Sequence, residues 1–231
     1  NRMPVALRSI SEEKWKLFLR RARLFRYIPF VDFVFAAGSL ATGNMHENSD
    51  FDVIVGARYG RIFTVRFIAA AAFHVFGFRR ERFDHGIAAR NKICLSHFVT
   101  EKAYRLSPPH GPYWAMLYRQ LVPVVGSAEK MQLFWDANED WMGERKVYGN
   151  DYRHLYKKKA AAAAAIEILL KGAAGDYLEK ILRRFQVRRI ERGSLSQKKI
   201  EGYKSRIICS DRELEFHPDT RRIEIFDKTK A

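Results

Sequence analysis

Blocks of apolar and polar positions along the first hundred residues predict an ordered series of helices and strands. Short apolar runs, typical of buried strands, predict strands at 31–37, 51–55 and 92–99. Apolar positions at helical spacing predict a helix before the first strand, at 9–26, and another between the second and third, at 62–76. The order helix, strand, turn, strand, helix, strand indicates the α/β (α+β) class.

The pattern changes after residues 107–112, where prolines and a glycine interrupt both kinds of spacing. Beyond them the apolar positions recur mainly at helical spacing, with a short interruption at 122–126. Six consecutive alanines, the strongest helix formers, lie in a predicted helix at 154–171. A capping box at 176–179 then predicts the start of a further helix. The second half of the chain is therefore expected to be mainly helical.

These patterns predict two domains. The first covers residues 1–106. The second covers residues 113–231, is mainly helical and ends in a short irregular tail. Within that tail we expect Leu214 and Phe216 to dock on the helical region, because they are its apolar positions.

Composition narrows the class of protein. Hydrophobic residues make up 47% of the 231 positions, which excludes wholesale disorder. The longest apolar stretch, 62–78, is interrupted by Arg66 and is too short to span a bilayer, so no membrane partner is expected. Cys94 and Cys209 have neither metal-ligand spacing nor a disulfide framework, and no stretch resembles a signal peptide. We therefore expect a cytoplasmic protein.

Positive charge is in excess, with a formal net charge of +16. It is densest in residues 183–206, which hold nine basic side chains against Glu191 and Glu201. Such a field favours an anionic partner, and RNA or DNA is the obvious candidate. The alternative is a solvated helix face that serves solubility.

The chemistry-bearing pattern lies between the first two predicted strands. Asp50 and Asp52 open the second strand, and residues two apart on a strand point the same way, about 6.5–7 Å apart. Two carboxylates at that spacing can converge on a pair of metals about 4 Å apart, and Mg²⁺ prefers such open carboxylate sites. Gly38 lets the backbone approach a phosphate closely, and Ser39 offers a hydroxyl and a backbone N–H. Each piece alone is usually a loop or a solvated strand end; their ordered combination favours a metal and triphosphate site.

This stretch resembles the nucleotidyltransferase superfamily typified by DNA polymerase beta, and most closely its minimal nucleotidyltransferase branch. That branch has the pattern Gly-Ser-x-Ala-x-Gly, a variable spacer, then Ser-Asp-x-Asp. The matching residues are Gly38, Ser39, Ala41, Gly43, Ser49, Asp50 and Asp52. The resemblance implies a small mixed sheet with helices on one face and the other face open for substrate. It also implies Mg²⁺-dependent transfer of a nucleoside monophosphate from a nucleoside triphosphate to a hydroxyl of RNA, protein or a small molecule.

The family's third carboxylate, often the general base, has no counterpart in the matching strand. That strand, 92–99, contains no Asp or Glu, and Ser96 and His97 occupy its middle. His97 is a candidate catalytic base because imidazole titrates near neutral pH. The alternative is a partly buried histidine with a satisfied hydrogen bond. Glu101 and Asp84 are weaker substitutes.

Two functions therefore stay open at this point. In the first, Asp50 and Asp52 bind the metals, Gly38 and Ser39 hold the nucleotide, and His97 is catalytic. A nearby cation then neutralises the departing pyrophosphate; the candidates are Arg58, Arg61 and Arg66. In the second, the missing carboxylate leaves a nucleotide- or RNA-binding module, or one member of a two-protein system.

Overall fold

A six-stranded mixed sheet forms the centre of the computed structural model, which describes residues 5–81, 86–108, 110–144, 156, 158–197 and 206–217. The spatial order of the strands is β4-β1-β2-β3-β6-β5. Only β2 and β3 run parallel; every other neighbouring pair is antiparallel. The strands are β1 Val31–Ala36, β2 Phe51–Ala57, β3 Ile93–Val99, β4 Val122–Gly126, β5 Arg206–Cys209 and β6 Glu213–His217.

Eight α-helices lie in the described parts of the chain. None of them combines the length and the apolar character that crossing a membrane requires. They are α1 Val5–Ala22, α2 Gly38–Thr42, α3 Ile62–Val75, α4 Pro112–Tyr118, α5 Ala128–Asp136, α6 Glu139–Met142, α7 Ala161–Leu169 and α8 Ala173–Gln197.

Helices cover both faces of the sheet, so the expectation of helices on one face only is wrong. Phe51 and Val53 point to the first face, where they pack with residues of α1, α3 and α8. Phe33, Phe35 and Ile54 point to the second face, where they pack with residues of α4, α5 and α6. The second layer forms because these side chains are large and apolar and would otherwise be exposed to water.

Residues 122–126 form a strand, although the sequence suggested an interruption between helices. Val122, Val124 and Val125 are buried, and β4 pairs with the outer edge of β1, with Val125 opposite Val34. β-Branched side chains pack well on a pleated surface, and pairing satisfies backbone groups that an edge strand leaves open. The predicted helical region therefore contributes to the sheet.

The tail is also more regular than expected. Residues 206–217 form the hairpin β5–β6, and β6 pairs with β3 so that Leu214 lies opposite Phe98. Leu214 is fully buried in the core of the first face. The predicted irregular tail is thus wrong for this segment, because β3 would otherwise present unpaired backbone groups. Residues 218–231 lie outside the described part of the chain.

The long helix α8 is anchored on α3. It begins at Ala173, and Glu179 does not form the predicted box at its start. The buried Glu179 carboxylate instead accepts hydrogen bonds from the backbone N–H groups of Phe63 and Thr64, both at 2.8 Å, in the first turn of α3. Gln186 donates to the Phe63 carbonyl at 2.8 Å. These bonds hold one side of α8 against α3, so the opposite side of α8 faces outward.

Candidate functional site

The two aspartates lie together at the start of β2, as the strand pattern predicted. Asp50 directly precedes the strand and Asp52 is its second residue. The intervening Phe51 and the following Val53 are buried on the opposite face of the sheet. Both carboxylates therefore point to the second face, where Asp50 keeps 18% of its side chain exposed.

Cys94 of β3 completes a group of three potential metal ligands. It lies opposite Asp52 in the parallel β2–β3 pair. One ligand atom from each of Asp50, Asp52 and Cys94 lies within 4.8 Å of the other two. Two carboxylate oxygens and a sulfur at these separations can share a divalent cation. Sequence reasoning missed Cys94, because the strand was recognised but its register was not.

Gly38 packs directly against the Asp52 carboxylate. Its φ of +60° is in the left-handed region, which favours glycine. A Cβ at this position would lie 2.1 Å from Asp52 Oδ2, far closer than van der Waals contact. The backbone N–H of Ala37 donates to the Asp52 carbonyl at 2.9 Å and holds the two segments together. Gly38 therefore allows the Asp52 carboxylate to take this position, and it also keeps the cleft accessible.

The loop before Asp50 is held by a buried lysine. Lys14 Nζ donates to the carbonyls of Glu47 and Ser49, at 2.8 and 2.9 Å, and to Asn91 Oδ1 at 2.9 Å. Burial lowers the pKa of Lys14, and the charge of Arg90 lowers it further. Ser49, the serine of the Ser-Asp-x-Asp motif, accepts a hydrogen bond from the backbone of His46 at 3.0 Å. Its role is to close the turn that delivers Asp50.

A cleft of about 430 Å³ opens above the aspartates. This volume is within the range of small-molecule sites. One wall is α2 with the loop that follows it, and the other is the exposed side of α4. The lining residues are Gly38, Ser39, Thr42, Asn44, His46, Asn48, Ser49, Asp50, Asp52, Arg80, Ala89, Tyr113, Met116 and Leu117.

Arg80 is the cation at the carboxylates. Its Nη1 donates to Asp50 Oδ2 at 2.6 Å and lies 3.8 Å from the Cys94 sulfur. Burial raises the pKa of Asp52 to about 6, and the neighbouring Asp50 charge contributes in the same direction. Burial and the two carboxylates also raise the pKa of the Cys94 thiol. Asp52 and Cys94 therefore hold their protons more tightly when no metal is bound, and a divalent cation would compete with those protons.

The arginines expected to meet the pyrophosphate lie elsewhere. Arg58 pairs with Glu167 at 3.1 Å and Arg61 pairs with Asp176 at 2.7 Å. Arg66 donates to Gln186 at 2.7 Å. All three partners belong to α7 and α8, on the first face of the sheet. The three arginines therefore bind the helices that pack on that face and do not line the cleft.

His97 does not join the aspartates, which corrects its predicted catalytic role. The β2–β3 register shifts between Asp52 and Ile54, so that an extra residue of β3 intervenes and His97 lies opposite Ile54. Its Nε2 lies 3.1 Å from Glu213 Oε1, and its Nδ1 lies 3.0 Å from the Tyr118 hydroxyl. Both ring nitrogens are thus engaged in a buried cluster outside the cleft.

That second cluster also contains Glu215. Burial acts to raise the pKa of Glu215, but the contact with His217, the charge of His97 and the hydrogen bond from Arg206 lower it to about 2. Arg206 Nε donates to Glu215 Oε2 at 2.6 Å. The cluster links β3, β6 and α4, so we assign it to the attachment of the hairpin.

The other substitutes for a third carboxylate do not reach the cleft either. Glu101 accepts a hydrogen bond from the backbone of Tyr59 at 3.1 Å and does not line the cleft. Asp84 lies outside the described residues. Of the predicted site residues, the fold brings together Gly38, Ser39, Asp50 and Asp52.

No protein-family model, curated protein or solved structure matches this chain. Any functional conclusion therefore depends on the cleft itself, on the chemistry of its side chains and on their arrangement.

Proposed function

We propose that the protein is a Mg²⁺-dependent nucleotidyltransferase with a polymerase-beta-like nucleotidyltransferase fold, followed by a helical region. It transfers a nucleoside monophosphate from a nucleoside triphosphate to a hydroxyl acceptor. The observation that carries the proposal is the direct packing of Gly38 against Asp52, with Asp50 beside it, on the floor of an open cleft. A solvated strand end would need neither the positive φ at Gly38 nor the paired carboxylates.

Asp50 and Asp52 are the residues that would hold Mg²⁺, and Cys94 is close enough to contribute a third ligand atom. The ion, when bound, supplies positive charge to phosphate oxygens during in-line displacement. Ser39 lines the same cleft and offers its hydroxyl to the phosphates. Arg80, beside Asp50, would supply positive charge to a departing pyrophosphate.

The acceptor hydroxyl must lose a proton during transfer. Among the described residues that line the cleft, the proton acceptors are Asp50, Asp52 and the exposed His46. Asp50 and Asp52 would be engaged by Mg²⁺, which leaves His46 as the candidate acceptor among these residues. His46 was not singled out from the sequence, since a histidine in a polar loop carries no distinctive signal.

The proposal is tested by label transfer. The protein is incubated with Mg²⁺ and each of the four nucleoside triphosphates labelled at the α-phosphate, with RNA, with cell extract and with no added acceptor. We expect label on a macromolecule or small molecule with the parent protein and none with Asp52→Asn. Glu101→Gln is the matched control, because it makes the same carboxylate-to-amide change outside the cleft.

A second candidate is favoured by one specific observation. Within the described residues, no carboxylate other than Asp50 and Asp52 lines the cleft, and Arg80 already pairs with Asp50. This arrangement suits a protein that binds a nucleotide without transferring it, or that serves as one partner of a two-protein system. Nucleotide binding without label transfer under every condition would reject the enzyme and support this module. The free thiols of both cysteines are consistent with the cytoplasmic location that we propose for either function.

A further inference from the structure

The outward side of α8 carries apolar side chains that nothing in the described structure covers. Tyr177, Ile181 and Phe185 follow each other at four-residue spacing and are 69%, 44% and 53% exposed. The opposite side of the helix is committed to α3 through Glu179 and Gln186. Packing within the fold therefore does not account for the exposed apolar row.

A groove of about 600 Å³ runs along this side of α8. Its lining combines two apolar side chains with four arginines. The lining residues are Ile181, Arg184, Phe185, Arg188, Arg189 and Arg192. An apolar floor with a cationic border suits a ligand that is both anionic and partly apolar.

Three of the arginines form a regular row. Arg184, Arg188 and Arg192 are four residues apart, so they lie on one side of the helix at steps of about 6 Å. The row extends over about 12 Å. Phe185 lies beside it, with its ring exposed. Evenly spaced cations beside an aromatic ring suit a chain of repeated anionic groups better than one isolated anion.

The positive charge of the row is not neutralised locally. In the part of the chain that the structure describes, none of the four groove arginines is paired with a carboxylate. By contrast, the neighbouring Arg183 pairs with Asp211 at 2.5 Å. Of the three acidic side chains on α8, Asp176 pairs with Arg61, Glu179 caps α3, and Glu191 forms no ion pair with a groove arginine within the described residues. The groove therefore presents its charge to solvent.

We propose that the groove of α8 binds single-stranded nucleic acid, with phosphates on the row Arg184, Arg188 and Arg192 and bases stacked on Phe185 and Tyr177. A second copy of the chain is disfavoured, since it would place arginines against arginines. Binding here does not depend on nucleotide transfer, so this proposal and the proposed function stand or fall separately.

The test measures binding of a fluorescent RNA of about 15 nucleotides, and of DNA of the same sequence, by anisotropy at several salt concentrations. The triple variant Arg184→Gln, Arg188→Gln, Arg192→Gln should bind at least 30-fold more weakly. Its dependence of log affinity on log salt should lose about two units of slope, since each phosphate contact contributes about 0.7. The matched control, Lys16→Gln, Arg20→Gln, Lys102→Gln, removes the same charge from exposed positions elsewhere and should keep the slope.

A second pair of variants tests stacking apart from charge. Phe185→Ala should weaken binding about five-fold or more with an unchanged salt slope, and Phe185→Tyr should restore it because the ring is kept. Glu101→Gln, which lies outside both the cleft and the groove, should bind RNA as the parent does. Equal loss in both triple variants would show a general charge effect and overturn the proposal. Preference for anionic vesicles or for an acidic amphipathic peptide over RNA and DNA would also overturn it.

Discussion

Replacing Gly38 by alanine tests whether the glycine positions the Asp52 carboxylate. At its φ of +60°, a residue with a side chain costs about 1–2 kcal/mol of unfolding free energy. The new Cβ would lie 2.1 Å from Asp52 Oδ2, whereas real Cβ contacts are essentially never under 3.0 Å. The Asp52 carboxylate must therefore move by about 1 Å, and a displacement of that size costs about 100-fold in rate.

Gly60→Ala is the matched control. Gly60 has a φ of +75° and open space where its Cβ would be, so the substitution introduces the same backbone strain without a collision. Both variants should lose about 1–2 kcal/mol in chemical denaturation. Only Gly38→Ala should lose label transfer by about 100-fold and bind Mg²⁺ more weakly in calorimetry. Full transfer and unchanged Mg²⁺ binding in a folded Gly38→Ala variant would refute the positioning argument.

Four further outcomes follow from the cleft and its support. Because the pKa of Asp52 is raised to about 6, Mg²⁺ affinity measured by calorimetry should fall up to tenfold per pH unit below about pH 6; an affinity that stays flat down to about pH 5 would contradict this. Because the pKa of Asp52 is raised, the metal-free protein should lose stability as the pH rises through about 6. Asp52→Asn should therefore increase the free energy of unfolding in urea at pH 7, by at most about 3 kcal/mol. A destabilised variant would count against the burial of that charge. Cys94→Asp should increase Mg²⁺ affinity in the same calorimetry, because a hard oxygen ligand replaces a sulfur. The control Cys209→Asp should leave the affinity unchanged. Equal affinities in the two variants would show that Cys94 does not belong to the site. Glu179→Gln should lower the free energy of unfolding in denaturant by about 2–4 kcal/mol, because two backbone donors lose a charged acceptor. Glu191→Gln, on the exposed part of α8, should lower it by less than about 0.5 kcal/mol. Equal losses would contradict the capping role of Glu179.

The sequence predicted the parts of the site that depend on local geometry. Alternation along a strand is enough to place Asp50 and Asp52 on one face, and a glycine before them suggests close approach. Both depend on residues within one turn and one strand, where the side-chain period is strict. The strands β1, β2 and β3 were recognisable because each is a short, mainly apolar run.

The same reasoning could not predict which strands pair over long distances in the sequence. Cys94 lies opposite Asp52 only because β3 is parallel to β2 in one register, and an added residue in β3 moves His97 away. The hairpin at 206–217 joins a strand more than a hundred residues earlier, and a short apolar run does not say which edge it will meet. Likewise Glu179 matches a local cap, but its carboxylate serves a helix distant in the chain.

The positive charge on α8 could be predicted from the sequence only in part. Composition alone suggested an anionic partner for residues 183–206, of which 198–205 lie outside the described residues. The choice of Arg184, Arg188 and Arg192 as a row depends on which side of the helix packs on α3. That information comes from Glu179 and Gln186, whose contacts fix the rotation of the helix.

The central claim is that Asp50 and Asp52 hold a nucleoside triphosphate through a divalent ion. The most direct measurement is the calorimetric titration of a non-hydrolysable nucleoside triphosphate into the parent protein and Asp52→Asn, each with and without Mg²⁺. We predict binding to the parent that is at least tenfold tighter with Mg²⁺ and a loss of that Mg²⁺ dependence in Asp52→Asn. Binding that is equally tight without Mg²⁺, or that is unchanged in the variant, would contradict the claim.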